Sequence, residues 1–230
     1  MLKLIIKQAN WGILGTVFGF AIGFFVKIYI IDIVGVSNWG KYVSAHTFST
    51  ALDVFLTFGI PVLIVKFFPD LWKTNKDYAL QFIGKVLRIS VILSLSLIVA
   101  LYFSAPLIDE FVYTQIDDFS PILFLVALHT PISIFTGIIT ALYRSVLKIK
   151  EIIIYSTVIT VPIRAILAFI IFQYTDNILY FVGIELFTTS LSLFLLFRRF
   201  NKAEYKVLNF NGNVNFVWDN KFVSYGKKMY

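Results

Sequence analysis

The chain has 230 residues, of which 59% are hydrophobic and only 14% are charged, and its mean hydropathy is +0.84. A soluble domain carries about 25% charged residues and disorder requires low hydropathy with high net charge, so both classes are excluded and a membrane protein is indicated. The chain has no Cys, which excludes disulfides, thiolate catalysis and cysteine metal sites.

Six hydrophobic runs are long enough to cross a membrane, since a helix needs about 20 apolar residues to span a hydrocarbon core of about 30 Å. In chain order they cover residues 11–34, 43–68, 89–108, 119–143, 152–174 and 177–197. The sequence therefore predicts an all-α polytopic membrane protein with six transmembrane helices in residues 1–200. A cytoplasmic linker is expected at 201–221, and a new apolar segment begins at 222–230.

The basic residues divide unequally between the two ends of these helices. Of the 20 Lys and Arg residues, 17 lie in the termini and connections on one side, Lys41 lies alone on the other, and Lys27 and Arg164 lie inside helices. Positively charged connections stay in the cytoplasm, so both ends are predicted to be cytoplasmic in a multi-pass plasma-membrane protein. The net charge of +7 then reflects orientation and anionic lipid, and no nucleic-acid partner is expected.

The first helix carries a stripe of small residues that ends on a cation: Gly15, Gly19, Gly23 and Lys27 recur every four residues. Small residues at this spacing let another helix approach closely. The stripe predicts that Lys27 points into the protein. The alternative is that its side chain extends to the outer surface of the membrane that the helix spans, about 10 Å away.

The second helix carries a narrow polar stripe, which comprises His46, Thr50, Asp53 and Thr57. Ionisable groups in the membrane interior often mark function, so Asp53 is a candidate for ion coupling or substrate binding. The alternative is a structural carboxylate, paired with Lys27 or capped by threonine hydroxyls. His46 is a weaker coupling candidate, because a lone histidine near a helix end is more often a packing residue.

The fourth helix carries polar residues on one face, beside two residues that can bend it, Pro131 and Gly137. This face predicts a cavity wall, and hydroxyl-mediated helix packing explains it equally well. The polar residues are His129, Ser133, Thr136 and Thr140.

The fifth and sixth helices each place a charge beside threonines, with Arg164 near Thr160 and Glu185 near Thr188. A very short turn joins these helices, so residue 164 should lie opposite about residue 187. A buried Arg164–Glu185 pair is therefore one expectation. The other is that Arg164 is available in at least one state to bind an anionic headgroup. Together, the polar stripes of these helices predict a hydrated cavity. Its predicted wall residues are Thr50, Thr57, His129, Thr136, Thr160 and Thr188.

Enzymatic chemistry is not expected from this chain. The largest outer connection covers only about residues 109–120, and no DxD, HExxH or nucleophile-elbow pattern occurs. A solvated acidic loop explains the carboxylates of that connection better than a divalent metal site does, so no metal or cofactor is expected. These carboxylates are Asp109, Glu110, Asp117 and Asp118.

Three segments carry a family resemblance. They are VGVSNWGKYVSAHTF, LDVFLTFGIPVLIVKFFPDL and ITALYRSVLKIKEIIIYSTVITVPIRAILAF. With them the chain resembles the amino-terminal lobe of a polysaccharide flippase, the family of O-antigen and teichoic acid exporters in the multidrug/oligosaccharidyl-lipid/polysaccharide superfamily. The resemblance implies two lobes around a cavity that opens alternately to each side, and residues 222–230 resemble the start of the second lobe, which is missing here.

The resemblance also implies roles for the charges. Lys27 and Arg164 occupy basic positions and would form a cationic cavity for the diphosphate of an undecaprenyl-linked glycan, while Asp53 fits the second-helix pattern. The expected partners are the lipid-linked glycan, the bilayer and a second lobe. The alternatives are a cation-coupled multidrug extruder of the same superfamily, in which acidic residues should dominate, and a non-catalytic membrane assembly subunit.

Overall fold

The fold is all-helical over residues 2–57, 59–111 and 119–201, the parts of the chain that the computed structural model describes. A π-helical turn, Ile154–Ile159, joins two of the α-helices. The α-helices are α1 (Leu2–Thr57), α2 (Ile60–Thr74), α3 (Lys76–Phe111), α4 (Phe119–Ala127), α5 (His129–Ser145), α6 (Ile149–Ile153), α7 (Thr160–Ile171) and α8 (Ile178–Phe200).

Five helical stretches are long and apolar enough to cross a membrane. If it were straight, the first of them would be about 75 Å long at 1.5 Å per residue, more than twice the thickness of a bilayer core. The stretches are Gln8–Thr57, Lys76–Ser104, Phe119–Ser145, Ile149–Ile171 and Ile178–Phe200.

The first stretch is interrupted at Gly35, whose backbone is non-helical at φ 81° and ψ 157°. A side chain is strained at such a positive φ, which is why glycine suits this position. We call residues 2–34 the first arm and residues 36–57 the second arm. Across the break, the ammonium nitrogen of Lys27 lies 5.9 Å from the centroid of the Trp39 ring, so the arms fold toward each other.

The first arm runs parallel to the helical stretch formed by α6, the π-turn and α7. At one end, the side chain of Gln8 accepts a hydrogen bond from the backbone N–H of Lys150 at 2.9 Å. At the other, the hydroxyl of Tyr29 donates to the carbonyl of Phe169 at 3.3 Å. Residue numbers thus rise together along the two elements.

The second arm runs the opposite way. Its Ser49 and Asp53 contact α5 at Thr130 and Ser133 respectively, so it is parallel to α5. In turn, α5 is parallel to α8, because His129 contacts Thr189 and Tyr143 donates to the carbonyl of Leu196. Since α7 and α8 form an antiparallel hairpin joined by residues 172–177, the second arm is antiparallel to the first.

Three predicted spans contain breaks, of which the sequence indicated only a bend in the fourth helix, at Pro131. The span predicted at 43–68 is interrupted at Gly59, which is left-handed at φ 67° and is followed by Pro61. The span predicted at 119–143 is divided between α4 and α5 at Leu128, where Pro131 cannot donate to the carbonyl four residues earlier. The span predicted at 152–174 contains the π-turn and ends at Ile171.

The third helix is longer than the predicted span 89–108, because α3 begins at Lys76 and continues to Phe111. The side chain of Asn75 accepts a hydrogen bond from the backbone N–H of Tyr78 at 3.1 Å and caps its first turn. The hydrophobic run marked only the apolar part of this helix, since its first turns carry charged residues. Of the predicted linker 201–221, all residues after Asn201 lie outside the described part of the chain, as do the predicted segment 222–230, Asp117 and Asp118.

Two large apolar clusters and a small third one hold the helices together, and polar residues lie between the two large clusters. One cluster includes Phe68, Phe82 and Tyr143, and the other includes Ile30 and Phe181. Along α8, the buried residues of the cluster around Phe181 reach as far as Ile184. The cluster around Tyr143 includes Leu193 and Leu196, further along the same helix. The segments of α5 and α8 between the clusters, together with the facing segments of the second arm and α7, are called the polar layer below.

Candidate functional site

An ion pair between α7 and α8 is the centre of the polar layer. Nη1 of Arg164 lies 2.9 Å from Oε1 of Glu185, and the two side chains are 28% and 10% exposed. The guanidinium also donates from Nε to Thr188 Oγ1 at 3.1 Å and from Nη2 to Thr189 Oγ1 at 3.4 Å. The pairing expected from the short turn is therefore present, and all three guanidinium nitrogens are hydrogen-bonded.

Tyr42, which lies on the second arm, also contacts the carboxylate of Glu185. Its hydroxyl donates to Oε2 of Glu185 at 2.6 Å, and its buried ring packs 4.9 Å from Trp39 and 5.4 Å from Phe181, centroid to centroid. Tyr42 was not singled out as a site residue from the sequence. The available signal was its position one turn before His46, on the polar face of the same helix.

Two histidines continue the polar layer beyond the ion pair. Nε2 of His129 lies 3.0 Å from Oγ1 of Thr189, and its ring centroid lies 6.1 Å from that of His46. Nδ1 of His46 lies 3.4 Å from Oγ1 of Thr50. The arginine network, as we call the hydrogen-bonded set, comprises Tyr42, His129, Arg164, Glu185, Thr188 and Thr189.

Asp53 forms a second polar contact, between the second arm and α5. Its Oδ2 accepts a hydrogen bond from the hydroxyl of Ser133. Its Oδ1 is buried and has no hydrogen-bond partner in the described part of the chain. One turn earlier on both helices, the hydroxyls of Ser49 and Thr130 lie 2.6 Å apart.

Lys27 lies apart from these contacts. Its side chain is exposed, its ammonium faces Trp39, and no ion pair joins it to Asp53 among residues 2–57 and 59–111. The structure therefore does not bring Lys27 and Arg164 into one hydrogen-bonded group.

The glycine stripe of the first arm packs over only part of its length. A Cβ atom on Gly15 would lie 2.4 Å from Cγ2 of Ile153, and one on Gly19 would lie 2.9 Å from Cγ2 of Thr157, whereas Gly23 faces open space. Close approach to α6 and the π-turn thus ends before Lys27.

Most of the threonines predicted to line a cavity donate their hydroxyl hydrogen bonds to backbone carbonyls close by in sequence. Thr50, Thr57 and Thr136 donate to carbonyls three or four residues earlier, and Thr160 donates to the carbonyl of Tyr155. Thr188 donates to its own helix and also accepts from Arg164. Among the predicted wall residues, therefore, His129 and Thr188 belong to the arginine network.

Comparison with protein families identifies one family to which the sequence is similar. The model of a family described as polysaccharide biosynthesis protein matches residues 5–221, which is almost the whole chain. No curated protein and no solved structure matches the sequence. The family resemblance noted in the sequence is confirmed, and the chain belongs to the polysaccharide biosynthesis protein family.

Proposed function

We propose that this chain is one lobe of a flippase that moves undecaprenyl-diphosphate-linked oligosaccharide across the bacterial plasma membrane by alternating access. The observation that carries the proposal is the guanidinium of Arg164, which is held inside the polar layer by three hydrogen-bond acceptors on α8, namely Glu185, Thr188 and Thr189. A cation inside a membrane is expensive and usually serves substrate or ion movement. Family membership supports polysaccharide synthesis as the context.

Six membrane crossings are part of this proposal. The opposite directions of the two arms support counting them as separate crossings, and the positive charge of one set of connections supports placing both ends in the cytoplasm. In that arrangement Gly35 and residues 172–177 lie on the outer side. Asn75 and the turn at Leu147 lie on the inner side.

The proposed role of the arginine network is to exchange the Glu185 carboxylate for a substrate phosphate as the partner of Arg164. In the observed conformation Glu185 neutralises Arg164, so the carboxylate occupies the place where a substrate phosphate would bind. Phosphate oxygens can accept bidentate hydrogen bonds from a guanidinium. When a diphosphate takes this position, Glu185 keeps the hydrogen bond from Tyr42, and the two partner arrangements define two states of the lobe.

The remaining charges have proposed roles around this exchange. Lys27, exposed on the first arm, is a second cation for the diphosphate in a cavity completed by a second lobe. Asp53, Glu185 and His46 are candidates for binding the coupling ion. The lipid tail stays in the bilayer, and no covalent step is required.

Complementation of a flippase-null strain tests the proposal, with surface polysaccharide as the measurement. Arg164→Ala and Lys27→Ala should each lower surface polysaccharide, and Arg164→Lys should fail as well because an ammonium cannot reproduce the bidentate contact. Immunoblots of the membrane fraction control for abundance. Full surface polysaccharide in both alanine variants would refute a cationic cavity, and altered drug sensitivity with normal polysaccharide would favour the drug extruder.

A further inference from the structure

A groove between α3 and α8 opens at the surface of the helix bundle, with buried residues of α5 as its floor. It encloses about 420 Å³. Leu87 and Val91 of α3 form one wall, Phe194 and Phe197 of α8 form the other, and the remaining lining residues are apolar except Ser190. The lining part of α8, residues 190–197, is about 10 Å long at 1.5 Å per residue. Its shape and apolar lining suit a hydrocarbon chain.

This groove lies on the face of α8 opposite the arginine network. Ser190 and Phe194 are exposed in the groove, whereas Glu185 and Thr188 are buried in the network. At 100° per residue, positions 188 and 190 point about 160° apart. A second lobe that covered the arginine network would therefore leave the groove facing lipid.

The two walls of the groove run in opposite directions. Near its start α3 packs on the end of α5, since Phe82 shares an apolar cluster with Tyr143. Further along, Leu101 of α3 shares another cluster with Ala127, the residue at which α4 ends, just before α5. Thus α3 is antiparallel to α5, and because α5 is parallel to α8, the two walls are antiparallel to each other.

Two exposed arginines lie at the same end of the groove. Arg88 comes three residues before Val91 on α3, and Arg198 comes four residues after Phe194 on α8, so each shares a helix face with a wall residue. Because the walls are antiparallel, both positions lie toward the same end. In the described ranges neither arginine forms an ion pair, so an apolar groove ends at two cations without a carboxylate partner.

We propose that the groove binds an anionic phospholipid such as phosphatidylglycerol, with an acyl chain along the apolar walls and the phosphate between Arg88 and Arg198. Guanidinium groups bind phosphate oxygens bidentately, and basic pockets between membrane helices favour anionic headgroups. The bound lipid joins α3 to α8. This site does not depend on the proposed transport function, and only its assignment to the cytoplasmic leaflet rests on the proposed topology.

Native mass spectrometry of the purified full chain tests the site, in detergent micelles that contain equimolar phosphatidylglycerol and phosphatidylcholine with the same acyl chains. The chain should retain phosphatidylglycerol at least about 5-fold more than phosphatidylcholine. Arg88→Gln and Arg198→Gln should each weaken phosphatidylglycerol binding about 5-fold, and the double variant should lose the preference. Arg199→Gln is the matched control, because Arg199 is also exposed but points away from the groove, and it should keep the preference.

A second pair of variants tests the acyl-chain part of the site. Val91→Trp fills the groove and should lower the binding of both lipids, whereas Ile92→Trp, at an exposed neighbour that does not line the groove, should not. Equal retention of the two lipids, or a preference that survives in the double arginine variant, would overturn the headgroup site. Unchanged binding in Val91→Trp, or a chain dimer that this variant abolishes, would overturn the lipid groove, the dimer assigning it to a second copy. Surface polysaccharide enters none of these readouts, so failure of the flippase proposal is distinguishable from failure of the site.

Discussion

Removing Glu185 alone should destabilise the protein more than removing Arg164 alone. Glu185→Ala leaves a cation in the polar layer that cannot lose its proton. Breaking a buried pair in this way costs about 3 to 5 kcal/mol, and the 28% exposure of Arg164 favours the lower limit. Tyr42 also loses a hydrogen bond to a charged acceptor, worth about 1.5 kcal/mol, so a total destabilisation of about 4.5 kcal/mol is expected.

Arg164→Ala should cost less, about 2 kcal/mol, because a lone carboxylate can be neutralised by binding a proton and Glu185 keeps its bond from Tyr42. The double variant contains no lone charge. It should therefore be more stable than Glu185→Ala alone, with a coupling energy of about 2 to 3 kcal/mol between the sites. Transport should stay absent in the double variant if Arg164 is the proposed phosphate-binding cation, since that cation is gone.

Denaturant titration in mixed micelles measures the stabilities, and surface polysaccharide in the complemented null strain measures transport. The two readouts separate a structural pair from a functional one. Additive costs within about 0.5 kcal/mol would refute the coupling argument. A double variant that restores surface polysaccharide would show that the pair serves the fold alone.

Three further predictions concern the first two helices and the topology. Gly15→Ala should destabilise the protein by about 1 to 3 kcal/mol through overpacking, because its Cβ would meet an isoleucine of α6 at 2.4 Å, while Gly12→Ala, in open space, should not. Gly35→Ala should cost about 1 to 2 kcal/mol from its positive φ alone. In this cysteine-free chain, a membrane-impermeant maleimide should label Ser37→Cys in intact cells and Arg144→Cys only after permeabilisation.

Each of these predictions has a control or a contradicting result. Equal stabilities of the Gly15 and Gly12 variants in the micelle titration would reject the close approach. Gly40→Ala is the control for Gly35→Ala, because Gly40 also faces open space but lies within the helix. Labelling of both cysteines in intact cells would place their positions on the same side and reject the six-span topology.

The sequence predicted the Arg164–Glu185 contact because local geometry determines it. A very short turn sets the register of the hairpin, and each charge is costly in lipid without a partner. Membrane-length stretches were likewise predictable from hydropathy. The arms' opposite directions agree with separate first and second helices, since the chain can reverse at Gly35 although the helical hydrogen bonding is nearly continuous.

Other features depend on contacts that are distant in sequence. Tyr42 counts as apolar in a hydropathy scan, and its hydroxyl becomes relevant only when α8 places Glu185 2.6 Å away. The threonine stripes overstated the polar surface, because a helical Thr hydroxyl can bond to a carbonyl of its own helix. Lys27 was expected on the packed face, but the close approach of the first arm to α6 and the π-turn ends at Gly19.

Two of the helix interruptions lie close in sequence to residues of the polar layer. The break at Leu128 directly precedes His129, and the π-turn ends five residues before Arg164. Proline accounts for the second of these, because Pro162 cannot donate to the carbonyl of Val158. Pro162→Ala restores that donor and should favour a continuous α-helix, so we expect a more stable protein that transports more slowly. Unchanged transport at higher stability would show that the π-turn is not a hinge.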